Sequence, residues 1–219
     1  SQPNNFMNTT PSKEKEIVIA SYREDLNWVV NLPKEWHVSI YNTLESPREF
    51  PPRGVVTSNL PNAGREASQW LAHIVKNYHN LAEFTLFIQA DRKHLPHEID
   101  KILEAEHPPA DNFRYVGGPA DNPFGPPPFL FAQTERLLKQ GWQSVSIPCT
   151  APFQVGAQFY ARKQVILNRP RDHYERLLNA TRNPEPEWSP AHLLEPVWGC
   201  VFNRVIRKKA LTEPTESPS

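Results

Sequence analysis

Residues 59–91 read NLPNAGREASQWLAHIVKNYHNLAEFTLFIQAD and hold a turn, a capped helix, a second turn and a buried strand. Ala67, Trp70, Leu71, Ile74, Val75 and Tyr78 recur at helical spacing and form one apolar stripe, which predicts an amphipathic helix. Asn62 is placed to cap that helix, and Pro61 ends the loop before it. Phe84, Leu86, Phe87 and Ile88 form a short apolar run, as expected of a strand covered on both faces. Polarity returns at Gln89 and Asp91, where the strand ends. In open α/β sheets, ligands gather where strands end and helices begin, so Arg65, Glu66, Gln89 and Asp91 are expected to share one site.

Outward from this unit the pattern alternates. Residues 16–20 (EIVIA) and 36–41 (WHVSIY) read as strands, with a short helix over Leu26, Trp28, Val29 and Val30 between them. Residues 47–62 read as a proline-bearing loop, and 97–106 as a short helix. Residues 108–128, centred on GGPADNPFGPPP, are too long for a plain connector and read as a lid or binding loop. Helical spacing returns over 129–139, a strand is expected over 153–160, and a helix over 170–181 starts at a proline. A last helix is expected over 192–206, begun or kinked at Pro196. Strand and helix in alternation predict a single α/β sandwich over residues 16–211, with a largely parallel, Rossmann-like or glycosyltransferase-A-like sheet. Residues 1–15 and 212–219 are expected to be a polar leader and a disordered tail.

With 219 residues the chain is long enough for one sizeable core. Its 24 prolines against 8 glycines imply many rigid loops and few flexible ones. No apolar run is long enough to span a membrane. Two cysteines, Cys149 and Cys200, without a framework of others fit a reducing, cytoplasmic setting. The chain opens Ser-Gln-Pro rather than with Met, which leaves an upstream segment open. Net charge is zero, so the surface is not uniformly basic. Arg204, Arg207, Lys208 and Lys209 nevertheless cluster near the end. Cations there suit a helix C-terminus, or equally a surface that tracks phosphates.

No glycine-rich phosphate loop, nucleophile elbow or zinc-protease motif occurs, so neither a nucleotide cofactor nor a metal is expected. His192 and Glu195 have helical spacing usable by a metal, but one such pair is a weak signal. Ser21, Tyr22, Glu24 and Asp25 follow the first strand, and Gln158 lies in the GAQF segment. Compensation of helix dipoles explains Glu24, Asp25 and Glu66 about as well as a site does. Glu195 stands among Leu193, Leu194, Val197 and Trp198, so a partly buried carboxylate that needs a partner is expected there.

The blocks EIVIASYREDLNWV, LPNAGREASQWLAHIVKNY, FTLFIQAD, VGAQFYARKQVILNRPRDHYERLL and HLLEPVWGCVF together span residues 16–202. They resemble the successive blocks of a fungal family known as a domain of unknown function, one that includes the arginine-containing cyclodipeptide synthases. The stretch Ile88-Gln89-Ala90-Asp91-Arg92 departs from the glycine and histidine more often found there. The resemblance implies condensation of arginine with a second amino acid, both delivered as aminoacyl-tRNAs, to a diketopiperazine in secondary metabolism. It needs no cofactor, because each ester bond already carries the activation energy. For such an enzyme the residues here offer Ser21, Tyr22, Glu66 and Glu195 as catalytic candidates, with Ser21 a candidate acyl carrier. Glu24, Asp25, Arg65, Gln89, Asp91, Gln158 and His192 would then bind substrate, and Arg204, Arg207, Lys208 and Lys209 the tRNA. Carboxylates suit a guanidinium, and Tyr22, Gln89 or Gln158 would donate to the tetrahedral oxyanion.

Two other readings fit the same residues. Polar strand ends and a late carboxylate base also suit a nucleotide-sugar glycosyltransferase, although no Asp-x-Asp metal motif is present. A non-catalytic module that recruits a partner through GGPADNPFGPPPF is the third.

Overall fold

Alternation of side chains along two central strands splits the core in two. The computed structural model describes residues 13–43, 48–58, 60–116, 131–141, 158–183 and 189–202. The strands are β1 (Lys15–Ser21), β2 (Trp36–Asn42), β3 (Val55–Thr57), β4 (Phe84–Gln89), β5 (Phe113–Tyr115) and β6 (Phe159–Arg162). They form one sheet in the order β3-β2-β1-β4-β6-β5. The first four run parallel, β6 is antiparallel to β4, and β5 is antiparallel to β6. The fold is thus the expected α/β sandwich on a mostly parallel sheet, with β6 alone reversed among the described strands.

The helices are α1 (Arg65–Asn77), α2 (His97–Glu104), α3 (Phe131–Gly141), α4 (Lys163–Ile166), α5 (Arg171–Arg182), α6 (Pro190–Leu194) and α7 (Trp198–Phe202). Val18, Ala20 and Phe87 face a core shared with α1, α3, α5, α6 and α7. Ile17, Ile19, Leu86 and Ile88 face the opposite core, closed by α2 and the 3-10 turn Asn27–Asn31. β1 and β4 are therefore covered on both sides, which is why they read as unbroken apolar runs. The stripe predicted for α1 holds. Ala67, Trp70, Leu71 and Ile74 are buried, and Val75 and Tyr78 pack against the same core. Trp70 sits edge-on to Phe87, Phe159 and Trp198, with ring centroids 5.5–6.2 Å apart.

Several expectations need correction. The helix expected over Leu26 to Val30 is the 3-10 turn. The strand expected over 153–160 appears as β6, with 153–157 outside the described residues. The loop expected over 47–62 contains β3, and the proline-rich stretch 108–128 contains β5. Its residues 117–128 are not among those described. Residues 13–15, expected to belong to the leader, are tied into the fold: the backbone carbonyls of Lys13 and Glu14 accept from Glu83 and Phe84, and Lys15 opens β1. Residues 1–12 and the expected tail 212–219 lie outside the described residues. The last helix is broken into α6, a 3-10 turn (Glu195–Val197) and α7. Cys200 is disulfide-bonded, so the cysteines give no support to a reducing compartment. Among the described residues, no helix is long and apolar enough to cross a membrane.

A buried ionic network lies between the sheet and α1. Glu16, 1 % exposed, accepts from Ser39 Oγ at 2.7 Å and stands 3.5 Å from His73 Nε2. Tyr41 and His73 are linked at 3.0 Å. Burial alone pushes the Glu16 pKa upward. The hydrogen bond and charge of His73, the Ser39 hydroxyl and Lys13 outweigh it and bring the value from 4.5 down to about 2. A carboxylate whose folded pKa is depressed contributes stability that is complete above its unfolded value. That contribution is lost as pH falls through the folded value. Thermal midpoints of the wild type should therefore drop between pH 4.5 and 2, and more steeply than those of Glu16→Gln. Parallel acid limbs for the two proteins would refute this role.

Candidate functional site

The strand order reverses between β1 and β4, the place where open α/β sheets form their ligand crevice. A cleft of about 330 Å³ opens there. Ser21, Tyr22 and Glu24 after β1, Arg65, Glu66 and Gln69 of α1, and Gln89 of β4 all line it. The shared site expected from residues 59–91 is thus assembled, with one exception. Asp91 is not in the lining, because its Oδ1 accepts the Lys93 N–H at 3.0 Å and caps a 3-10 turn.

The start of α1 sets the site's geometry. Gly64 is the residue before the helix, with φ 75°, and Arg65 follows at φ 49°. Asn62 is therefore not the cap; it lines the cleft instead. Two successive left-handed residues turn the chain so that the Arg65 and Glu66 side chains meet the cleft. Arg65 Nε stands 3.9 Å from Glu66 Oε2, and its Nη1 3.4 Å from His192 Nε2.

Glu66 is the group whose ionisation is displaced. Its side chain is 14 % exposed. Burial raises its pKa, and the nearby charge of Glu195 raises it further. Its own backbone N–H, Arg65 and His192 pull the other way without cancelling the rise. A half-buried carboxylate held above its ordinary range in a polar cleft is a candidate for proton exchange with a bound ligand.

The remaining predicted residues divide. Ser21 is buried, donates to Asn42 Oδ1 at 3.4 Å and lies 3.5 Å from Arg48 Nη1; neither partner is a base. Tyr22 is 36 % exposed at the rim, and its N–H donates to Glu24 Oε2 at 2.6 Å. Asp25 is outside the cleft lining and accepts from Asn27 N–H at the start of the first 3-10 turn. Gln158 is buried, and its Oε1 accepts the Gln89 N–H at 3.1 Å, so it braces β4. His192 and Glu195 come from α6 and the turn after it and approach the mouth of α1. Arg204, Arg207, Lys208 and Lys209 lie outside the described residues. Among the described residues, no group of three His, Cys, Asp or Glu side chains is placed to hold a metal ion.

Gln69 was not anticipated. It is 3 % exposed, donates through Nε2 to the Ser21 carbonyl at 3.1 Å, and its Oε1 has no hydrogen-bond partner among the described residues. Its position was legible in principle, since it stands three and four residues after Glu66 and Arg65 on the same helix face.

No curated protein matches the chain. Residues 17–109 match the model of a family described as "Protein of unknown function (DUF3431)".

Proposed function

We propose that the protein is a tRNA-dependent cyclodipeptide synthase that condenses arginine with a second amino acid. The observation that carries this reading is Glu66, a half-buried carboxylate with a raised pKa in a polar cleft at the sheet's switch point. The charged lining is Glu24, Glu66 and Arg65, so it suits a guanidinium or an amine better than a diphosphate. In the first step the α-amine of one aminoacyl group attacks the ester carbonyl of the other. An amide C–N bond forms, the ester C–O bond breaks, and Glu66 passes the amine's proton to the departing ribose oxygen. In the second step the free amine of the dipeptidyl ester attacks its own ester carbonyl, which closes the ring and frees the second tRNA. Tyr22 and Gln89 are the donors along the cleft for the oxyanions. Direct transfer of this kind needs no acyl-serine, in keeping with the partners of Ser21. Arg204, Arg207, Lys208 and Lys209 are the proposed contacts for the tRNA.

A nucleotide-sugar glycosyltransferase is the second reading, favoured by the disulfide at Cys200. Disulfides persist in oxidising compartments, which are separate from the pool of charged tRNA. The two readings part in one assay. Purified protein is mixed with tRNA, ATP, all twenty amino acids and their synthetases, and products are read by mass spectrometry. A cyclic dipeptide containing arginine, lost after ribonuclease treatment, is the expected result. Folded protein that makes none, but releases nucleoside diphosphate from a sugar donor, would replace the first reading with the second.

A further inference from the structure

Burial raises the Glu66 pKa, and Glu195, the carboxylate that adds to the rise, sits on a turn fixed from a distant strand. Tyr115 belongs to β5, at the edge of the sheet, and is 4 % exposed. Its hydroxyl donates to the Glu195 carbonyl at 2.8 Å and accepts from the Trp198 N–H at 2.9 Å. The Gly199 N–H also reaches this oxygen. One phenol thereby closes both ends of the 3-10 turn Glu195–Val197, between α6 and α7. The ring itself packs edge-on to Phe113 and Phe159, a role phenylalanine would fill equally well. The hydroxyl is what the turn requires.

We infer that Tyr115 is the positioning residue of this site: its hydroxyl locks the turn that presents Glu195, and with it His192, to the N-terminal end of α1. The inference rests on Glu66 being the proton carrier of the proposed reaction. The charged groups acting on Glu66 are Arg65 beside it, and Glu195 and His192 from the turn and α6; Glu24 lines the same cleft. Of these, Glu195 is the one whose place Tyr115 holds. When the hydroxyl is removed, the Glu195 carbonyl and the N–H groups of Trp198 and Gly199 lose their shared partner, and the Glu195 charge recedes from Glu66.

The test uses the full chain without substrate. Carbon-13 NMR follows the titration of the Glu66 carboxyl in wild type, Tyr115→Phe, Glu195→Gln and the double variant. The Glu66 midpoint should fall in Tyr115→Phe and in Glu195→Gln, with no further fall in the double variant. An unchanged midpoint in folded Tyr115→Phe, or in Glu195→Gln, overturns the inference. If Tyr115→Phe does not fold, hydrogen exchange of the wild type decides instead. The Trp198 amide should fall in the slowest-exchanging class, and exchange at the rate of loop amides overturns the inference. Because no readout needs turnover, a failed cyclodipeptide assay and a failed positioning role are separable outcomes.

Discussion

Glu66→Gln should lower the rate of diketopiperazine formation by about 10²–10⁴-fold, the usual worth of a positioned acid–base group. The substitution keeps size and hydrogen-bonding reach and removes only the ability to take a proton. It also removes a carboxylate that burial and Glu195 already hold in an unfavourable state, so stability should not suffer. The sign of the pH effect follows from the chemistry. A general base works when ionised, so the wild-type rate should rise with pH through the Glu66 pKa, which lies above the ordinary 4.5. The residual rate of Glu66→Gln should lack that limb. Measuring kcat/KM against pH for both proteins tests the two statements together. A variant with wild-type rate and an unchanged acid limb would remove Glu66 from the mechanism.

The residues of this site differ in how far the sequence revealed them. Arg65, Glu66 and Gln89 were legible because their positions follow from periodicity: a helix starts or a strand ends, and polar groups there face the crevice. Asp25 and Asp91 occupy similar positions but serve local N–H groups, and sequence alone does not separate a capping aspartate from a binding one. Glu195 was marked by its apolar neighbours, yet the hydroxyl that holds its turn comes from a position 80 residues away. The strand that carries it has three residues, too few for alternation to register. β3 was missed for the same reason. The reversal of β6 was equally hidden, because strand direction leaves no trace in a period-two pattern. Cys200 was misjudged because counting cysteines says nothing of which side chains lie within bonding distance.

Gly64→Ala should cost roughly 2–5 kcal/mol, combining the penalty of a left-handed alanine with that of overpacking. At φ 75° a side chain is already strained. The added Cβ would also meet the Thr181 carbonyl oxygen at 2.8 Å, Thr181 Cβ at 2.9 Å and Ser68 Cβ at 3.0 Å. None of these is the free end of a flexible chain. The oxygen is backbone of α5, and Ser68 is in the first turns of α1. Relief requires the two helices to part, and α1 carries Arg65, Glu66 and Gln69 into the cleft. The variant should therefore lose activity per folded molecule as well as stability, although every polar side chain of the site is retained. Urea denaturation followed by turnover measured on the folded fraction separates the effects. A Gly64→Ala protein as stable as wild type would show that the loop can move without α5. Retained stability with lost turnover would place the glycine's role in aiming Arg65 and Glu66 rather than in packing. The same backbone reversal links the two consequences, because the turn that makes room for Thr181 is the turn that points the two charged side chains at the cleft.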